Sequence, residues 1–114
     1  MTQRDDYVSI KDMLDHSREA IDVLGGLSRD DLGRNRVVQL ALTRLVEIVG
    51  EAAYRVSEES RKANPEIPWT KVIGMRNRLI HGYDVIDYGL LWDTVTTDLQ
   101  PLIAELQRLV DKSG

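Results

Sequence analysis

The chain has 114 residues, 30% of them charged, no cysteine and a formal net charge of −4. That length fits one domain whose hydrophobic core holds without cross-links, and the missing cysteine excludes a disulfide scaffold, a thiolate metal site and cysteine catalysis. No apolar run approaches the ~20 residues of a membrane helix, and residues 1–6 lack the apolar stretch of a signal peptide, so the expectation is a cytoplasmic protein with no membrane partner.

Apolar residues recur at helical spacing along almost the whole chain and two-residue alternation is not sustained, which predicts an all-α fold. The first helix is expected over residues 5–24, with Tyr7, Ile10, Leu14, Ser17, Ile21 and Leu24 on its buried face and Gly25-Gly26 ending it. Ser28 and Asp31 have the spacing of a capping box for a short helical turn, and Gly33 breaks the chain again. A second long helix is expected over residues 34–62, burying Val38, Ala41, Leu45, Ile48, Ala52 and Val56. Gly50 lies inside it, where glycine costs about 1 kcal/mol against alanine, so a close packing contact is expected there. Pro65 and Pro68 separate this helix from a short third one, over residues 68 to 80 or 81, which Gly82 stops. Asp87 is placed to cap a fourth helix running to about residue 110 through Leu91, Val95, Leu99, Leu102, Leu106 and Leu109, with a kink or break at Pro101. Short connections between long amphipathic helices favour an antiparallel four-helix bundle with one extra short helical turn.

An acidic protein is not an obvious nucleic-acid binder, but the charge is unevenly spread. Residues 61–83 hold Arg61, Lys62, Lys71, Arg76 and Arg78 against Glu66 alone, a local charge of +4 that leaves −8 for the remainder. Glu47 and Glu51 are four apart on the second helix, where like charges repel unless a cation lies between them. A magnesium site would recruit further carboxylates, and no matching acidic pair is evident; an arginine from the basic segment resolves the repulsion more simply. His16 follows Asp12 by one turn and needs only a local hydrogen bond.

Residues 75–83 place Arg76, Asn77, Arg78, His81 and Tyr83 around one helix end. Each has an ordinary explanation, since histidine suits a last helical turn and Gly82 suits termination. Together they match the needs of metal-free RNA cleavage. A generic imidazole titrates near neutrality and can move protons, while a guanidinium grips phosphate through paired hydrogen bonds. Asn77 and His81 are one turn apart, and Arg76 reaches the same region by its length. One chain offers one candidate histidine where two proton transfers are required, so a homodimer opposing two such helix ends is expected to complete the cleft.

Arg76, His81 and Tyr83 match the Arg-x4-His-x-Tyr motif, and the sequence resembles the HepT-like (DUF86) branch of the HEPN superfamily. Ile67-Pro68-Trp69, Gly74-Met75-Arg76-Asn77, Val85-Ile86-Asp87 and the run from Glu47 to Ala53 extend the resemblance over nearly the whole chain. It implies a HEPN helical bundle, a homodimer and metal-independent endoribonuclease toxin activity without a cofactor. Arg76 and His81 would be catalytic, with Asn77, Arg78 and Tyr83 supporting or binding RNA. It also implies an MntA-like minimal nucleotidyltransferase antitoxin that transfers AMP to Tyr83. The alternative is a non-catalytic module that binds a nucleotide or docks a nucleotidyltransferase.

Overall fold

The apolar stripe that opens the chain folds as α1 (Arg4–Leu24) in a computed structural model that describes residues 4–82 and 85–113. Ile10, Met13, Leu14, Ser17, Ala20 and Leu24 are buried along it, against α3 (Arg36–Arg55) and α8 (Leu99–Ser113). Between α1 and α3, Gly25 adopts φ 55 and ends the first helix. The Ser28 hydroxyl then accepts from the Asp31 amide while Asp31 accepts from the Ser28 amide, the reciprocal capping expected of α2 (Arg29–Gly33). Asn35 caps α3 by accepting from the Val38 amide at 3.1 Å, and Gln39 ties α3 back to α2 by donating to the Leu32 carbonyl at 2.8 Å.

The second expected helix is two helices. α3 ends at Arg55, and α4 (Glu58–Ala63) begins anew after Val56 and Ser57. Apolar periodicity runs through this break, but Asp6 from α1 overrides it. Its carboxylate, 4% exposed, accepts from the Ser57 amide at 2.8 Å, the Ser57 hydroxyl at 2.6 Å and the Ser60 hydroxyl at 2.7 Å. Ser57 is therefore turned out of helical phase and caps α4 by accepting from the Ser60 amide. α3 also buries a wider face than expected: Leu42, Val46, Val49 and Ala53 join Leu45 and Ala52, while Val38, Ala41 and Ile48 are only half-buried. It packs on α1 on one side and on α5 (Trp69–Ile73) and α6 (Met75–Leu79) on the other.

The expected third helix also divides. Gly74 separates α5 from α6, and the chain leaves the helix after Leu79. Ile80 takes φ −113 and ψ 128 and forms a two-residue strand, β1 (Ile80–His81), paired antiparallel with β2 (Val85–Ile86). β-branched Ile80, Val85 and Ile86 suit this pairing. Gly82 has φ 68, the left-handed conformation expected of it, but it serves a hairpin and not a helix end. The strands are too short to leave an alternating pattern in sequence. The bundle remains all-α in class, with this hairpin as its extra element.

Asp87 caps α7 (Tyr88–Asp93) by accepting from the Leu90 amide at 2.9 Å. A π-helical turn, Thr94–Asp98, joins α7 to α8 and lies just before Pro101, which has no amide hydrogen to offer the Thr97 carbonyl. The interruption expected near Pro101 is this turn. Leu91, Val95, Leu99, Leu102, Leu106 and Leu109 are all buried as read. Arg18 donates to Gln107 and Arg108 pairs with Glu66, fastening α8 to α1 and to the segment before α5. Among the described residues no helix is long and apolar enough to cross a membrane.

Gly50 sets the distance between α3 and α5. A Cβ there would stand 3.1 Å from the Val72 carbonyl oxygen and 3.2 Å from that of Ile73. Gly50→Val should destabilise the protein by about 1–3 kcal/mol in urea unfolding, because the larger branched side chain must push the α5 backbone away. The Asp6 cluster gives a pH-dependent test. Burial pushes the Asp6 carboxyl up, but the hydrogen bonds from Ser57 and Ser60 outweigh it and hold the pKa below its ordinary 3.8. The stabilisation is therefore present above 3.8 and disappears as pH falls through the lower folded-state value. Asp6→Asn should cost about 2 kcal/mol at neutral pH. The gap to wild type should close in acid, where Asp6 is protonated.

Candidate active site

Arg76 sits in the first turn of α6, two residues past Gly74, and follows directly on the α5 residues that meet Gly50 of α3. Gly50 and Ile73 touch through backbone; three residues before the first is Glu47 and three after the second is Arg76. One helical step from the contact on each element brings the two charges together, and Arg76 Nε lies 3.4 Å from Glu47 Oε2. Arg44, one turn earlier on α3, places Nη1 2.8 Å from Glu47 Oε1 and 3.5 Å from Glu51 Oε1. The Arg44 guanidinium is held above its ordinary pKa, chiefly by the hydrogen bond to Glu47; desolvation opposes this and the charges of Glu47 and Glu51 reinforce it. The like-charge pair at Glu47 and Glu51 is thus relieved by two arginines, one of them from the basic segment as expected. Among the described residues no group of three or more His, Asp or Glu could hold a metal ion.

Arg76 and Asn77 share an open groove of about 410 Å³ with Glu47, Glu51, Tyr54 and Arg55, floored by Gly50 and Ile73. Arg76 is 44% exposed, so a ligand can reach it despite the ion pair. Tyr54 is 70% exposed, and neither it nor Arg55 stood out in the sequence. Their helical phase carries the signal: Tyr54 is three residues from Glu51 and seven from Glu47, on the same face of α3.

His81 is not among the residues that line this groove. It is in β1, opposite Val85, with 63% of its side chain exposed. The helical relation expected between Asn77 and His81 does not hold, because the helix ends at Leu79 and Ile80 turns extended to pair with Ile86. Asn77 belongs to the groove of Arg76 instead. The neighbour of His81 is Asp87, whose Oδ2 stands 3.7 Å from His81 Nε2 while its Oδ1 caps α7. Asp87 was legible as a cap but not as a partner of His81, since six residues of separation acquire meaning only once the hairpin closes. The Asp87 amide donates to the Leu79 carbonyl at 2.8 Å, which fixes the base of that hairpin. Arg78 is exposed on α6. Tyr83, expected to accept AMP, lies outside the described residues. His16, given no role, makes the local bond expected of it, from Nδ1–H to the Asp12 carbonyl at 2.7 Å.

Within one chain, then, the two groups expected to act on RNA each stand beside a carboxylate: Arg76 by Glu47 and His81 by Asp87. A guanidinium reachable from an open groove can bind a phosphodiester, and an exposed imidazole can exchange protons with a bound substrate.

Comparison with known proteins agrees with the motif. The "Ribonuclease HepT-like" family model matches residues 13–109, spanning α3, α6 and the hairpin. "Putative RNase MJ1380" of Methanocaldococcus jannaschii is 32% identical over 107 residues, covering 94% of this chain and 98% of that protein. "Probable ribonuclease HepT" of Thermococcus cleftensis is 34% identical over 105 residues, covering 89% and 96%. "Putative RNase TTE0752" of Caldanaerobacter subterraneus subsp. tengcongensis is 30% identical over 92 residues, covering 81% and 82%. No solved structure matches the chain. With a family model covering most of the sequence and relatives aligned over almost their full lengths, the chain belongs to the ribonuclease HepT-like family.

Proposed function

We propose that the chain is a metal-independent endoribonuclease and the toxin subunit of a HepT/MntA-type toxin–antitoxin pair. The observation that carries this reading is the family match, which runs through Arg76, His81 and Tyr83 and joins the chain to relatives named as ribonucleases. The exposed imidazole of His81 and the reachable guanidinium of Arg76 supply the two chemical functions that cleavage needs.

In the proposed reaction a base removes the proton of an RNA 2′-hydroxyl, and that oxygen attacks the adjacent phosphorus. The bond to the 5′-oxygen breaks, an acid protonates the leaving oxygen, and a 2′,3′-cyclic phosphate remains. Arg76 neutralises charge on the phosphorane oxygens, with Asn77 and Arg78 as further donors near the strand. One candidate catalytic histidine per chain leaves one proton transfer unassigned, so two copies facing each other complete the cleft. Val85 and Leu90 support a second copy at this end, for both leave apolar side chains exposed close to His81 in sequence. Transfer of AMP to Tyr83 by a nucleotidyltransferase antitoxin would add bulk and negative charge beside the cleft and exclude an RNA phosphate.

Purified protein should cleave RNA in the presence of EDTA and leave cyclic phosphate ends. Arg76→Ala and His81→Ala should each lower the rate by at least ~100-fold while circular dichroism shows the helices retained. Cleavage by either variant at the wild-type rate would overturn the assignment, and RNA left intact by the wild-type protein would favour the non-catalytic docking module. Intact mass of protein co-expressed with its antitoxin should show added AMP that disappears in Tyr83→Phe.

A further inference from the structure

We infer that Glu47 is a positioning residue for RNA cleavage, aiming the Arg76 guanidinium at the scissile phosphate; the inference rests on the ribonuclease reading above. The two oxygens of Glu47 are divided between two arginines. Oε1 faces Arg44 at 2.8 Å and Oε2 faces Arg76 Nε at 3.4 Å. Arg44 is on the same helix as Glu47, so that bond fixes the carboxylate before Arg76 arrives. Arg76 comes from α6, across the close contact at Gly50, and meets an acceptor already oriented.

The edge that Glu47 uses decides what remains for a ligand. A guanidinium is planar, and contact at Nε leaves the outer edge formed by the two Nη groups pointing away from the carboxylate. That outer edge can grip phosphate through two parallel bonds. The ion pair with Glu47 is made at Nε, 3.4 Å from Oε2. Holding a long, half-exposed side chain in one orientation lowers the ordering cost when RNA binds and keeps the positive charge where the phosphorane forms. Glu47 also carries negative charge into the groove, which works against binding the ground-state phosphodiester. Its net effect therefore falls on the rate of the bound complex, not on affinity.

The test is steady-state cleavage by Glu47→Ala and Glu47→Gln alongside Arg76→Ala. Glu47→Ala should lower kcat by roughly 10- to 100-fold, with KM unchanged or lower. Glu47→Gln, whose amide oxygen keeps a partial negative charge beside Nε, should recover part of the loss, and both variants should unfold within a few degrees of wild type. A merely structural glutamate would not give lost kcat at undiminished affinity with partial rescue by glutamine. Wild-type kcat in Glu47→Ala, with Arg76→Ala still inactive, overturns the positioning role and leaves the ribonuclease reading intact. Absence of any His81-dependent cleavage by the wild-type protein overturns both. If Glu47→Ala does not fold, Glu47→Gln decides alone: reduced kcat at unchanged KM supports the inference, and wild-type kcat overturns it.

Discussion

Everything at the candidate site depends on how closely α5 approaches α3. Because Gly50 has no side chain, the backbone at Val72 and Ile73 can lie where any Cβ would be crowded, with carbonyl oxygens 3.1 and 3.2 Å from the position it would occupy. That approach sets the register between the two elements. With Gly50 opposite Ile73, Glu47 and Arg76 fall opposite each other, close enough to pair. A slightly wider spacing would leave Arg76 as one more solvated surface cation. A backbone distance of a few tenths of an ångström is thus converted into the orientation of a guanidinium several ångströms away.

The same arrangement reconciles an acidic protein with a phosphate-binding role. Beside the groove, Arg44 and Arg76 are matched with Glu47 and Glu51 in a nearly neutral network. Such a network exerts little long-range attraction on RNA, so recognition must come from short-range geometry at Arg76 and Asn77 rather than from steering. His81 is held on a hairpin beside Asp87, and the proposed chemistry calls on a second copy for the other proton-transfer group.

The helices that bury one continuous stripe were legible in sequence. The α7 to α8 segment was read nearly residue for residue, and in α1 Ile10, Leu14, Ser17 and Leu24 are buried as read while Tyr7 and Ile21 are half-buried, because one apolar face per helix leaves a simple period. Errors occurred where a long-range contact overrode that period. Asp6 divides the second expected helix by capturing Ser57 and Ser60 from more than 50 residues away. Pairing of Ile80 with Ile86 pulls His81 out of the helix that Asn77 and Arg76 occupy. For the site, the motif residues and the need of Glu47 for a cation were visible in the order of residues. The identity of that cation, the separation of His81 from Asn77 and the place of Asp87 required the fold.

The proposed control by AMP has a basis in chain distance. A connection of only three residues, Gly82 to Asp84, joins β1 to β2, and Gly82 supplies the positive φ that lets the chain turn immediately after His81. Tyr83 is two residues past His81, so their Cα atoms are no more than ~7 Å apart whatever its conformation. An adenylyl group on Tyr83 would therefore be tethered beside the imidazole and not merely somewhere on the same protein.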